Sequence, residues 1–159
     1  MNVKPNAFPD TVSAPVRKLL QDFYHLSNAA SSHTEHKKDE QKLVSLFTPD
    51  GVYEFAGKKN EGHEAILAFR AGLFSNIGHR DHQVVKVYPF GNNDQDLLAL
   101  GEVEYRGLDG ASHKEQWAGR YAIVQDGGEL KFKQVQIFIV SHHSLEWREE
   151  LADRLTWRL

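Results

Sequence analysis

The sequence predicts an α+β fold in which a cone-like, curved, mixed or antiparallel sheet wraps N-terminal helices and encloses a cavity. Three observations carry that expectation. Apolar residues in the first half recur at helical spacing, those in the second half alternate, and the alternating runs are joined by short turns rich in glycine and asparagine. At 159 residues and 40% hydrophobic content, the chain reads as one domain able to bury a continuous core.

Residues 1–14 carry Pro5 and Pro9 and no apolar run, so they are read as a flexible arm, neither signal peptide nor membrane span. Residues 15–143 form the domain. Ser13 is the expected N-cap ahead of Pro15, and Val16, Leu19, Leu20, Phe23 and Leu26 make the apolar stripe of a first helix. A small, polar break over 27–32 and a charged, solvated segment over 33–39 precede a second stripe at Leu43, Val44, Leu46 and Phe47. Pro49 cannot continue a helix, so that helix is expected to end at Phe47, with Asp50-Gly51 turning the chain into a strand from Val52. Tyr53 and Phe55 then share one strand face, Val52 and Glu54 the other. Lys58-Lys59-Asn60 reads as a turn, and a third helix carries Ile66, Phe69, Leu73 and Phe74.

Four strands follow, over 79–90, 97–106, 112–125 and 130–140, separated by Gly91-Asn92-Asn93-Asp94, Asp109-Gly110 and Asp126-Gly127-Gly128. Residues 144–159 return to helical spacing through Trp147, Leu151 and Leu155. That tail has three places to go: onto its own sheet, into a subunit contact, or over the cavity.

A net charge of -3 gives no electrostatic reason to expect nucleic acid or an anionic membrane as partner, and the absence of cysteine removes disulfides and thiolate chemistry. The expected location is cytoplasmic. No phosphate-binding glycine loop, nucleophile elbow or paired-cysteine zinc site is present in the sequence.

The helix ending in Leu46-Phe47, the Pro49-Asp50-Gly51 turn, the aromatic strand after it, Glu61-Gly62-His63-Glu64-Ala65-Ile66 and Trp117-Ala118-Gly119-Arg120-Tyr121 together resemble the SnoaL-like polyketide cyclases. These belong to the nuclear-transport-factor-two-like superfamily, and the resemblance covers roughly residues 15–140. It implies a small-molecule enzyme working by acid/base catalysis, without a cofactor, on an apolar oxygenated metabolite such as a polyketide or terpenoid. The superfamily also holds members that only bind or assemble, so a ligand-binding or assembly domain is the second expectation.

The resemblance places Tyr53 and Phe55 inward, and it puts Phe23, Phe55 and Arg120 where ketosteroid isomerases keep their oxyanion donors and base. Neither phenylalanine can do that chemistry, whereas an inward Arg120 would suit a carboxylate, enolate or phenolate, its alternative being an ion pair with Glu102 or Glu104. In His79-Arg80-Asp81-His82, the histidines three apart on a strand face opposite ways, so no metal site is expected. His82 resembles the acid/base histidine of scytalone dehydratase, whose tyrosine-aspartate pair would fall near Ala30-Ser31. His82, Arg120 and Tyr53 are therefore the catalytic candidates, with Phe23, Phe55, Phe69 and Val103 shaping the pocket and Glu102 and Glu104 facing out. Trp117 and Tyr121 are expected on the outer face of the sheet, where they would support a homodimer.

Overall fold

The computed structural model describes residues 2–28 and 33–140. A seven-stranded sheet in the order β1-β4-β5-β6-β7-β2-β3 curls around three helices. Its strands are β1 (Asn2–Val3), β2 (Phe47–Phe55), β3 (Lys58–Glu61), β4 (Ile77–Phe90), β5 (Asn93–Gly107), β6 (Ser112–Asp126) and β7 (Glu129–Val140), and its helices are α1 (Ala14–Ser27), α2 (His33–Ser45) and α3 (His63–Leu73). The expected meander is present: β4, β5, β6 and β7 pair antiparallel in sequence order, while β2 joins parallel to β7 and β1 parallel to β4. Register shifts within the β4–β5 and β6–β7 pairs bend these long strands.

Three local expectations are corrected. The second helix stops at Ser45, and Pro49-Asp50-Gly51 sits within β2, where the register against β7 slips between Phe47 and Val52. An unpaired proline is accommodated because the slip is a bulge, where the missing N–H breaks no ladder bond. Lys58-Lys59-Asn60 is strand, not turn: the reversal is made at Ala56 (φ 49°) and Gly57 (φ 87°), and β3 then pairs with β2. Residues 2–12, expected as a loose arm, lie along the sheet. Val87 N–H donates to the Ala7 carbonyl at 2.8 Å, Ala7 and Val12 are each 1% exposed, and Arg17 donates to the carbonyls of Val12 and Pro9. Two small apolar side chains and these backbone bonds supply what composition alone did not show. The tail beyond 140, with Trp147, Leu151 and Leu155, lies outside the described residues.

The core is aromatic. Phe23 of α1 meets Phe132 (ring centroids 5.3 Å apart), Tyr121 and Phe47 edge-on, which joins the first helix to three strands. Trp117 and Tyr121, expected outside, are 3% and 0% exposed. They share strand parity with Gly119 and Ile123, and this face of β6 is the concave one. Gly101 makes the room: it pairs with Trp117, and a Cβ there would collide with the indole ring and the Gln83 carbonyl. Gly101→Ala is therefore expected to destabilise by about 1–3 kcal/mol and to shift Trp117, measured by urea unfolding and near-ultraviolet circular dichroism. A variant as stable as the parent would contradict this packing.

Candidate active site

Helices and concave sheet face leave a cavity lined by Phe23, Tyr24, Ser27, Tyr53, Phe55, Arg70, Phe74, Arg80, His82, Tyr105, Trp117, Ile137 and Ile139. It contains about 380 Å³ of atom-free space, mouth included, but its walls stand close, with only about 20 Å³ in which a water-sized sphere can centre. That is the scale of a water or two.

One end of the cavity is charged. Glu40 of α2 accepts two hydrogen bonds from Arg70 of α3, Nε to Oε2 at 2.6 Å and Nη2 to Oε1 at 2.9 Å, and a third from Nη2 of Arg80 on β4 at 3.1 Å. All three side chains are almost fully buried. Burial alone would raise the Glu40 carboxyl, but the attraction and hydrogen bonds of Arg70, then those of Arg80, outweigh it and hold the group below its usual value. Arg70 also reaches the Tyr53 hydroxyl from Nη1 at 3.3 Å, while the Arg80 guanidinium lies 3.8 Å from the centre of the Phe74 ring. Burial raises Tyr53, so its phenol stays protonated.

His82 is fixed by the end of α1. Asn28 caps that helix, and its Oδ1 accepts from the His82 backbone N–H at 2.9 Å. A backbone N–H only donates, so the side-chain atom facing it is oxygen. The same oxygen lies 2.6 Å from His82 Nδ1, which must then carry the ring proton and leave the lone pair on Nε2. Asn28 Nδ2 donates in turn to Asp81 at 3.3 Å, which fixes the amide. Burial first, and then the positive charges of Arg80 and Arg70, push the imidazole well below its usual value. At neutral pH His82 is an uncharged base.

Three of the lining residues each carry a buried polar atom with no hydrogen-bond partner among the described residues: Arg80 Nη1, Trp117 Nε1 and Ser27 Oγ. Buried donors are ordinarily satisfied, so three unpartnered ones on residues around a single cavity, from α1, β4 and β6, mark a place where a ligand oxygen fits. Beneath them Tyr24 stacks on Trp117 at 4.9 Å and its hydroxyl contacts that of Tyr121.

Of the residues expected from sequence, His82, Tyr53, Phe23 and Phe55 line this cavity. Phe69 packs behind Tyr53 and Phe55, and Val103 is buried in the core; neither is among the lining residues. Glu102 and Glu104 do face away from Val103 and Tyr105. Arg120 is the correction. It lies on the convex face, half-exposed, and pairs with Asp96 across the strand rather than with Glu102 or Glu104. Strand alternation is the reason: with Gly119 and Tyr121 inward, the residue between them points out. Glu40, Arg70, Arg80, Asn28 and Trp117 were not anticipated. Among the described residues no group of His, Cys, Asp and Glu could hold a metal, and no helix is long and apolar enough to cross a membrane.

The SnoaL-like domain family matches residues 21–143. The chain belongs to that family. No curated protein matches it. Solved structures with the same fold include a proposed aromatic ring hydroxylase from Novosphingobium aromaticivorans, with a TM-score of 0.67 and 17% identity over 86% of this chain and 94% of that one. A nuclear-transport-factor-two-like protein of unknown function from Burkholderia pseudomallei superposes with a TM-score of 0.64 and 12% identity, over 91% and 100% of the two chains. A proposed scytalone dehydratase from Novosphingobium aromaticivorans gives 0.63 and 12%, over 82% and 87%. At such identities the SnoaL-like chain shares their fold, and its chemistry rests on its own cavity.

Proposed function

We propose that this SnoaL-like protein is a cofactor-independent acid/base enzyme that isomerises, cyclises or dehydrates an apolar oxygenated metabolite such as a polyketide or terpenoid. The observation that carries the reading is the neutral, tautomer-fixed His82 beside three unpartnered donors in one apolar cavity. His82 Nε2 takes a proton from carbon next to a substrate carbonyl, forming an enolate, and returns it either to another carbon of the same molecule or to a β-hydroxyl that leaves as water. The negative charge that develops on oxygen meets Arg80, which takes the role expected of Arg120, and Trp117 Nε1. Tyr53, tied to Arg70, shapes the charged end and does not touch the reacting carbon in this scheme.

The test is hydrogen exchange on bound ketones. In deuterium oxide, a panel of aromatic ketones such as 2-tetralone and acetophenone should lose the protons next to the carbonyl faster with enzyme, followed by proton magnetic resonance. The His82→Ala variant should lose that acceleration. Exchange equal in both variants would remove His82 as the base, and binding without exchange would favour a pure ligand-binding domain.

The convex face favours a dimer. Leu98 (40% exposed), Leu100 (37%), Phe138 (46%) and Val140 (47%) stand there, with Tyr88 beside Leu98 and the rows Leu100–Ala118–Phe138 and Gln116–Val140 running across three strands and two. A contiguous apolar sheet face suits a self-complementary contact between two copies, although Trp117 and Tyr121 take no part in it. Sedimentation at micromolar concentration should give twice the 18.1 kDa chain mass, and Leu100→Glu should return it to 18.1 kDa. A single 18.1 kDa species for the parent chain would contradict the dimer.

A further inference from the structure

We infer that the ligand of this cavity is an acid, present as a carboxylate or an ionised enol or phenol before any reaction begins. The inference rests on the catalytic reading for its site but adds a ground-state charge to it. Among the described residues the buried cluster holds two guanidiniums against one carboxylate, and of the two arginines bonded to Glu40 it is Arg80 that keeps an N–H free of any partner there. Arg80 is 2% exposed, its face is covered by Phe74, and its side chain, with the unpartnered Nη1, is among those lining the cavity. The other titratable groups lining the cavity do not offset it: His82 is neutral, and burial holds the phenols of Tyr24, Tyr53 and Tyr105 protonated; the buried Glu115, on the same face of β6 as Trp117, lies beside Tyr105 and neither lines the cavity nor bonds Arg80.

Arg80 shares the Glu40 carboxylate with Arg70, so its positive charge is only partly offset among the described residues, and desolvation of the remainder is borne with no return. A ligand anion supplies the return. One oxygen of a carboxylate can take the Arg80 Nη1 hydrogen while Trp117 Nε1 and Ser27 Oγ donate to the rest of the group, and the apolar part of the molecule lies against Phe55, Ile137 and Ile139. A neutral ligand of the same shape leaves the charge uncompensated. The outward Arg120, already held by Asp96, plays no part.

The experiment compares acids with their neutral amides: benzoate with benzamide, cinnamate with cinnamamide, and 2-naphthoate with 2-naphthamide, by isothermal titration at pH 7 and low salt. At least one acid should bind about tenfold or more tightly than its amide, the margin of a single charge-assisted hydrogen bond. Arg80→Met should erase that difference while leaving the melting temperature no lower than the parent's, and Arg80→Lys should restore part of it. The inference is overturned if the amides bind as well as the acids, if the preference survives Arg80→Met, or if none of the three acids binds. Should Arg80→Met not fold, the comparison in the parent chain and in Arg80→Lys still decides. His82→Ala separates the two readings. Acid preference that persists beside an exchange rate unaffected by His82→Ala supports acid recognition and sinks the catalytic scheme, whereas loss of exchange in His82→Ala with no acid preference in the parent does the reverse.

Discussion

Replacing Glu40 by leucine is expected to destabilise the fold by about 3–5 kcal/mol, the cost of removing one partner from a buried ion cluster. Arg70 and Arg80 would then face each other with no carboxylate between them, both almost fully buried and both held in place by aromatic rings. Urea unfolding measures it directly as a lower midpoint. Arg80→Met should behave oppositely, because Glu40 keeps both bonds from Arg70 and the surplus charge disappears. Equal losses in the two variants would show that Arg80 is needed for the fold and not kept for a ligand. The pH dependence has a defined sign. The folded Glu40 carboxyl sits below its ordinary value, so its contribution is complete above about pH 4.5 and is lost as pH falls through the folded value. Glu40→Gln should flatten that acid limb.

His82→Ala should lower the ketone exchange rate by about 10²–10⁴-fold, the range for a positioned general base. The parent's pH profile adds a sharper condition. A base must be unprotonated to act, and burial with Arg80 and Arg70 nearby depresses the imidazole, so the acid limb of kcat/KM should lie well below pH 6.5. Arg80→Met removes one of those charges and should move the limb upward. The same depression acts on stability: the contribution of His82 is full above the unfolded value of about 6.5 and declines as pH falls toward the folded one. Asn28→Ala frees the ring to change tautomer, so it should reduce turnover more than it weakens ligand binding. A limb at or above pH 6.5 would mean that His82 is not the group that titrates.

The fold was legible because periodicity reports which face is buried. Four long alternating runs separated by Gly and Asn turns gave β4 to β7 and their antiparallel order. What failed was parity. Putting Arg120 inward required Trp117 and Tyr121 to point out, and a single residue's slip reverses every side chain of a strand. Burial of two large aromatics against one guanidinium decides that choice, and Gly101 opposite Trp117 gives the indole its room. The charged cluster also leaves marks in the sequence. Glu40 lies one helical turn before Leu43 and Val44, and Arg70 one turn after Ile66, so each interrupts an apolar stripe. Arg80 stands two residues before His82 and so shares its strand face. Charges inside apolar stripes point to one another, but their pairing joins residues thirty to forty positions apart and needs the packed helices to be seen. Asn28 offered no such signal, since its role depends on where α1 ends against β4. The pair expected near Ala30-Ser31 lies outside the described residues.

A crystal structure with a saturating acidic probe such as 2-naphthoate tests the central claim most directly. The expected complex has the acid group about 3 Å from Arg80 Nη1 and Trp117 Nε1, the aromatic ring between Phe55 and Ile139, and the carbon skeleton within reach of His82 Nε2. A probe seated on the convex face by Leu100 and Phe138, with the cavity still closed and Arg80 unengaged, would contradict the account.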